Sequence, residues 1–415
     1  MTPLKINTDR LRADIDTLSG IGRSTTPDGP RGLFRMALSD NDLEARAWLT
    51  DRIESAGLSV IGDGAANLGT IIGAELEGPV VMTGSHLDTV PGAGHLDGAL
   101  GVLTGLEALR CIAESGVQLK RPVELVAFTD EEGRFGGLLG SQAIAGDLEL
   151  ESVEAAQDLS GVRLVDALGR VNLTPADVIG ARREPGSIAA FLELHIEQGP
   201  VLDSEGLPLG IVDSITGLFK WSVRFDGTAN HAGTTPMNMR RDAFKGLVDF
   251  AQSIDPILKS HGTLRSRATI GRVEVSPGAA NVVPARAEFS FEVRDTDASV
   301  LERLDRLFRD RLEYVAYGHE LGLGIEEMSH VAPVSCDERV LTGIEKTAAA
   351  LGVPAIRMPS GAAHDAQVIA NIAPVGMIFV PSKQGLSHSA DEATDFEHIE
   401  TGANVLLNTL IELAS

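Results

Sequence analysis

The sequence predicts a two-domain α/β protein, a helix-covered sheet interrupted by a smaller α+β insert, and it does so from length and patterning. The chain has 415 residues, above the size at which a single hydrophobic core usually stops growing. Short apolar runs alternate with helical periodicities in the first half and again towards the C-terminal end. Between them lies a stretch whose apolar residues alternate singly with polar ones, the mark of strands with one wet face.

In chain order, Asp40 to Leu58 repeats apolar residues at helical spacing through Leu43, Ala47, Leu49, Ile53 and Leu58, with Asp40 as the expected N-cap. Thr70-Ile-Ile-Gly and Pro79-Val-Val-Met-Thr-Gly read as strands ending in glycine. Ala99 to Ala113 carries Leu100, Leu103, Leu106 and Leu109 at helical spacing, and Val123 to Thr129 is a further strand. Past residue 211 the period shifts to two, through Trp221, Val223 and Phe225 and again through Ala287, Phe289, Phe291 and Val293. Arg241 to Ile254 and the series Leu301, Leu304, Phe308, Leu312 and Val315 supply helices between and after them. This β-α-β-β-α-like insert is expected over residues 212–325, leaving 1–211 and 326–415 as one discontinuous domain. Val340 to Leu351 and Phe396 to Leu413 are expected as helices of that domain, and Val375 to Val380 as a strand.

Composition narrows the partners. A formal charge of −24 opposes binding to nucleic acid or anionic lipid, and an anionic substrate needs a local cation. Cys111 and Cys336 stand far apart without a CxxC partner, which fits a reducing compartment rather than a disulfide framework. The N-terminal MTPLKINTDRLRADID is polar, unlike a secretory signal, and no run approaches the roughly 18 apolar residues of a membrane span. The expectation is a soluble, cytoplasmic protein.

Polar residues that carry chemistry gather at the ends of the expected strands, where open α/β sheets bind their ligands. In Gly84-Ser-His-Leu-Asp-Thr-Val, His86 and Asp88 share a face just past an apolar run, so the carboxylate could fix the tautomer of a metal-bound imidazole. Asp97, before the Ala99 helix, is either a ligand or a plain N-cap. Glu131 and Glu132 follow a buried strand within Thr129-Asp-Glu-Glu-Gly; a solvated acidic turn is the alternative to a cation-neutralised cluster. Glu193, His195 and Glu197 share one face of an extended run, and His388 follows the Val375 to Val380 strand, as a ligand or an incidental loop residue. Mixed nitrogen and oxygen donors suit zinc, with manganese, cobalt or nickel as substitutes.

These motifs in this order, with Glu197-Gln-Gly-Pro, Ala229-Asn-His-Ala-Gly-Thr-Thr-Pro-Met and Ser360-Gly-Ala-Ala-His-Asp-Ala, closely resemble the hydantoinase/carbamoylase branch of the M20 metallopeptidase-like superfamily. The resemblance implies a mixed-sheet zinc-hydrolase catalytic domain with an inserted α+β lid that also dimerises. It implies two divalent metal ions: Asp97 bridging both, His86 and His195 completing one site, Glu132 and His388 the other. Glu131 is implied as the general base, and Asp88 is counted with it among the catalytic residues. His231 would polarise the substrate carbonyl, Asn281 and Arg294 would hold a substrate carboxylate, and Gln198 and His364 would make further contacts. Lid residues would reach the neighbouring site of a homodimer. Read from the residues alone, Arg294 is equally a surface salt-bridge residue and His231 a turn residue. The implied activity is hydrolysis of the C–N bond of an N-carbamoyl amino acid or similar carboxylated amide, with N-acyl amino acids or allantoate as alternative substrates. Phe34, the Gly92-Ala-Gly loop and Ala363 depart from the pattern of relatives, which bears on the shape of the substrate pocket.

Overall fold

The computed structural model describes residues 3–24 and 29–415, so Met1 and Thr2 of the polar N-terminal stretch lie outside the described residues. The chain divides into two compact units, Met1–Asp213 with Cys336–Ser415, and Ser214–Ser335. Its strands are β1 (Val60–Gly62), β2 (Leu68–Ile72), β3 (Val80–His86), β4 (Val123–Phe128), β5 (Ile188–Ile196), β6 (Leu209–Ile215), β7 (Gly217–Asp226) and β8 (Asn230–His231). They continue with β9 (Arg267–Ser276), β10 (Val282–Val283), β11 (Arg286–Asp295), β12 (Gly322–Val331), β13 (Val334–Ser335), β14 (Ala355–Ser360) and β15 (Val375–Val380).

The first unit is built on a mixed sheet of order β1-β2-β4-β3-β5-β15-β6, with β14 beside β6. Its centre, β4, β3, β5 and β15, is parallel. These strands are nearly continuous in apolar residues because helices cover them, and β4 and β15 are buried along their whole length. The helix Ala99–Ser115 packs on β3, β4 and β5, and the helix Phe396–Ala414 lies beside it. Parallel pairing brings the C-terminal ends of β3, β4, β5 and β15 to one edge, which is why residues far apart in sequence meet there.

The second unit is an antiparallel sheet of order β12-β7-β11-β9, packed against the helices Ala243–His261 and Ala298–Gly318. Alternation along β7 and β11 sends Trp221, Phe225, Phe289 and Phe291 into a core shared with Phe250 and Phe308. Phe291 meets Phe250 and Phe308 edge-on, at centroid distances of 5.0 and 4.8 Å, the geometry in which ring quadrupoles attract.

Several boundaries differ from expectation. Ser39, not Asp40, caps the helix Asp40–Ser55, its hydroxyl accepting from the Asp42 amide; Asp40 sits in the first turn, where its charge suits the helix dipole. The helix expected to stop at Ile254 runs to His261 with Pro256 inside it. The second unit reaches Ser335 rather than 325, because β12 is a fourth strand paired with β7. Gly322, Gly324, Glu326 and Glu327, all poor strand formers, hide that strand in the sequence. Among the described residues no helix is long and apolar enough to cross a membrane.

Candidate metal centre

The edge formed by β3, β4, β5 and β15 gathers His86, Asp97, Glu131, Glu132, His195 and His388. Asp97 stands at the centre. One of its oxygens lies 3.2 Å from His195 Nε2 and 3.8 Å from His86 Nε2, and the other lies 3.4 Å from His388 Nε2. The N-cap alternative for Asp97 does not hold: Gly98 is the cap of the Ala99–Ser115 helix, and no side chain caps it. Gly98 adopts a left-handed φ of 64°, and a Cβ there would collide with the His86 ring, so glycine is needed both for backbone conformation and for room.

The donor atoms of His86, Asp97 and His195 all lie within 4.8 Å of one another, as do those of Asp97, Glu132 and His388. Two such clusters sharing one carboxylate suit a pair of divalent ions. A third cluster, Glu193 with His195 and His364, meets the same distance test and shares His195 with the first. Glu193 accepts from Ser85 Oγ at 2.8 Å and from the Ala366 amide at 3.1 Å. His364 Nε2 lies 2.8 Å from Ser360 Oγ.

Hydrogen bonds orient the imidazoles. His86 Nδ1 is 2.9 Å from the main-chain carbonyl of Asp88, and His195 Nδ1 is 2.9 Å from that of Ile196. Each leaves Nε2 pointing inward as a donor to metal. The Asp88 carboxylate, expected to set the His86 tautomer, stands 4.0 Å from Nδ1 and instead accepts from the Glu132 amide at 3.2 Å. The extended segment past β3 turns, so the carbonyl rather than the side chain of Asp88 faces the ring.

The electrostatics also favour cations. Burial raises the pKa of Glu131 well above the carboxylate range, and Asp365 and Glu132 add to the effect. Burial and then Asp97 push Glu132 up to about 8. Burial opposes charge on His195 most strongly, yet its hydrogen bond to Asp97 and the charges of Asp97 and Glu193 together outweigh this and hold the ring at about 9. Asp97 likewise raises His388, to about 9. Protons thus do the neutralising work that divalent ions would do. Buried Glu132 Oε1 and Asp88 Oδ1 lack a hydrogen-bond partner, a further sign that the acceptors outnumber the donors available from protein. The residues therefore fit divalent metal with nitrogen and oxygen ligation. Neither buried cysteine, Cys111 or Cys336, belongs to either cluster.

The remaining expected residues divide by unit. Gln198, with a left-handed φ of 57°, donates from Nε2 to Asp97 at 2.7 Å. His364 is buried edge-on to His195 at a centroid distance of 4.6 Å. Glu131 Oε2 lies 3.5 Å from His86 Nε2. In the second unit, pairing of β8 with β10 brings exposed His231 beside exposed Asn281, whose carbonyl accepts from the Ala232 amide at 2.9 Å. Arg294 lies at the far end of β11 and donates from Nε to Glu292 at 2.7 Å. Ser387 and Glu392 were not singled out from the sequence. Ser387 Oγ lies 2.7 Å from Asp97 Oδ2, and Glu392 is buried against the Leu96 and Asp97 amides. Their adjacency to His388 was the available signal.

Comparison with known proteins agrees with this geometry. The profile of peptidase family M20/M25/M40 matches residues 82–412. The chain is 40% identical over 413 residues to an N-carbamoyl-L-amino acid amidohydrolase of Geobacillus stearothermophilus, covering 99% of each chain. It is 34% identical over 405 residues to the allantoate amidohydrolase of Bacillus subtilis, covering 96% of each. A crystal structure of an amidase of the hydantoinase/carbamoylase family from Burkholderia multivorans superposes with a TM-score of 0.90 at 34% identity, over 99% of this chain and 98% of that one. With the sheet, the shared aspartate and the paired donor clusters already in place, these matches establish that the chain belongs to peptidase family M20/M25/M40, in its hydantoinase/carbamoylase branch.

Proposed function

We propose that this protein is a dinuclear metal amidohydrolase that cleaves the ureido C–N bond of an N-carbamoyl amino acid, releasing the free amino acid, carbon dioxide and ammonia. The observation that carries the reading is the pair of donor clusters sharing Asp97, with Glu131 3.5 Å from His86. The names of relatives support it: the Geobacillus protein acts on N-carbamoyl-L-amino acids and the Bacillus protein on allantoate, a ureido compound.

In this reading His86, Asp97 and His195 hold one ion, Asp97, Glu132 and His388 the other, and zinc suits the donors, with manganese, cobalt or nickel as substitutes. When bound, such ions supply Lewis acidity that makes water a nucleophile at neutral pH and polarises the carbonyl. Glu131 takes the proton given up as water attacks the ureido carbon and passes it to the departing nitrogen, a role worth roughly 10² to 10⁴ in rate. Asp88 steadies the Glu132 amide, and Gln198 and His364 line the substrate side of the centre.

Residues 212–325, extended to Ser335, serve in the same reading as a lid and dimerisation domain. His231 polarises the carbonyl, while Asn281 and Arg294 hold the substrate carboxylate that an acidic protein otherwise repels. Along β11, Arg294 is eight residues from Arg286, near which the β8–β10 pair emerges, and that is roughly 27 Å of strand. A small substrate does not span it, which supports contributions from two copies of the chain. The edge strand β9 lacks a second neighbour among the described residues and exposes Val273, a surface that strand pairing would cover. The reduced cysteines suit the cytoplasm.

The test is a substrate panel: N-carbamoyl-L-amino acids, N-carbamoyl-β-alanine, allantoate and N-acyl amino acids, scored for ammonia and free amine alongside metal analysis. Turnover of N-acyl but not N-carbamoyl substrates would replace the reading with an aminoacylase.

A further inference from the structure

We propose that Glu392 is a positioning residue that clamps the Asp97 loop to the His388 loop, so that the ion held by Asp97, Glu132 and His388 binds tightly only while that carboxylate is in place. The inference rests on the two-ion reading above and deepens it.

Glu392 is almost fully buried, at 3% exposure, yet it touches none of the proposed ligand side chains directly. Its Oε1 accepts from the Leu96 amide at 2.8 Å and the Asp97 amide at 3.2 Å. Its Oε2 lies 3.2 Å from Ser387 Oγ, the residue before His388. One carboxylate therefore joins two segments almost 300 positions apart in sequence, each carrying a ligand of the same cluster.

Besides Glu392, the hydrogen bond from Ser387 Oγ to Asp97 Oδ2 joins the two segments. Asp97 precedes a helix and has no cap role, while His388 is half-exposed and adopts a left-handed φ of 52°. A non-glycine residue in that region is held there by its surroundings, not by its own preference. The fit is close from the other side as well: a Cβ on Gly94 would collide with the Glu392 side chain. Ser387 has one hydroxyl hydrogen and two carboxylates within reach, Asp97 Oδ2 at 2.7 Å and Glu392 Oε2 at 3.2 Å. When it donates to Glu392, Asp97 Oδ2 is freed to face metal; Gln198 is the other donor to the same oxygen.

By contrast, His86 and His195 of the other cluster are oriented by main-chain carbonyls, of Asp88 just past β3 and of Ile196 at the end of β5. Loss of the clamp should therefore weaken chiefly the ion held with His388, and the other less, because that one depends on the clamp only through the shared Asp97.

The experiment is a calorimetric titration of chelator-stripped full-length protein with Zn²⁺ or Co²⁺, comparing wild type, H388A, E392A, E392Q and G94A. Wild type is expected to take up two ions. E392A should weaken one binding event by about 10- to 100-fold, the usual cost of losing a partner behind a ligand, and weaken the other much less. H388A should weaken the same event, and E392A combined with H388A should add little to H388A alone, the non-additivity of groups acting on one site. E392Q keeps an acceptor for the Leu96 and Asp97 amides, so it should restore most of the affinity; a purely electrostatic role would leave E392Q as weak as E392A. G94A displaces the carboxylate without removing it and should reproduce the selective loss, which keeps the proposal testable should E392A fail to fold. Unaltered affinity at both sites in E392A and G94A, or equal weakening of both, overturns the clamp alone. Wild-type protein that binds no divalent ion overturns the metal reading and the clamp with it.

Discussion

The two units differ in how they hold polar residues. In the first, His86, Asp97 and His195 are buried, and their donor atoms converge within 4.8 Å. In the second, His231 and Asn281 are exposed and separated from Arg294 by the length of β11, and Arg294 is bonded to its neighbour Glu292. The first arrangement is preorganised: its atoms already stand where a cation needs them. In the proposed reading the second becomes a recognition site on assembly with another copy and a substrate. That reading puts the chemistry in the sheet edge and the choice of substrate in the insert.

The largest expected effect lies on the chemical side. Glu131→Gln should lower kcat by roughly 10² to 10⁴ while both ions remain bound, as read by steady-state kinetics and metal analysis. Near-normal turnover would remove Glu131 from the role of base. On the recognition side, Arg294→Ala should raise KM for N-carbamoyl amino acids about 10- to 100-fold, the worth of a charge-assisted hydrogen bond of about 1.5 to 3 kcal/mol, with ion content unchanged. An unaltered KM would leave Arg294 as a surface salt-bridge residue.

Proton linkage sharpens the contrast. In the metal-free protein His195 and His388 titrate near 9 and Glu132 near 8, all above their ordinary values. Groups raised on folding contribute stability that is complete below their unfolded pKa and is lost as pH rises through the folded one. The melting temperature of stripped protein should therefore fall between about pH 6.5 and 9, whereas ion affinity should rise over the same interval as protons leave the donors. Calorimetric scans with and without chelator would check both. A stripped protein whose melting temperature climbs across that interval would contradict the assigned shifts. The smallest effect is local to the second unit: Asp242 caps the Ala243–His261 helix, so Asp242→Ala should cost about 1 kcal/mol in denaturant unfolding and leave ion uptake untouched.

Legibility in the sequence followed locality. The strand Val375–Val380 was read with its observed bounds, and the helices Ala99–Ser115 and Phe396–Ala414 to within two residues, because each carries its period over its whole length. The strand β12 was missed because glycine and glutamate interrupt its pattern and only pairing with β7 makes it a strand. The proposed ligand residues were visible as polar residues at strand ends, and the ordered motifs linked them. Ser387 and Glu392 were not visible as parts of the centre, since their partners, Leu96 and Asp97, are nearly 300 positions away.

By itself the amino-acid order determined the alternation of elements, the acidic surface, the donor types and their placement at strand ends, since these depend on periodicity and composition. Only the tertiary structure decided that Asp97 faces two clusters instead of capping a helix, that the Asp88 carbonyl and not its carboxylate orients His86, and that Glu392 joins the loops. Those outcomes depend on which strands pair and where a turn aims its side chain, and such long-range geometry has no local signature.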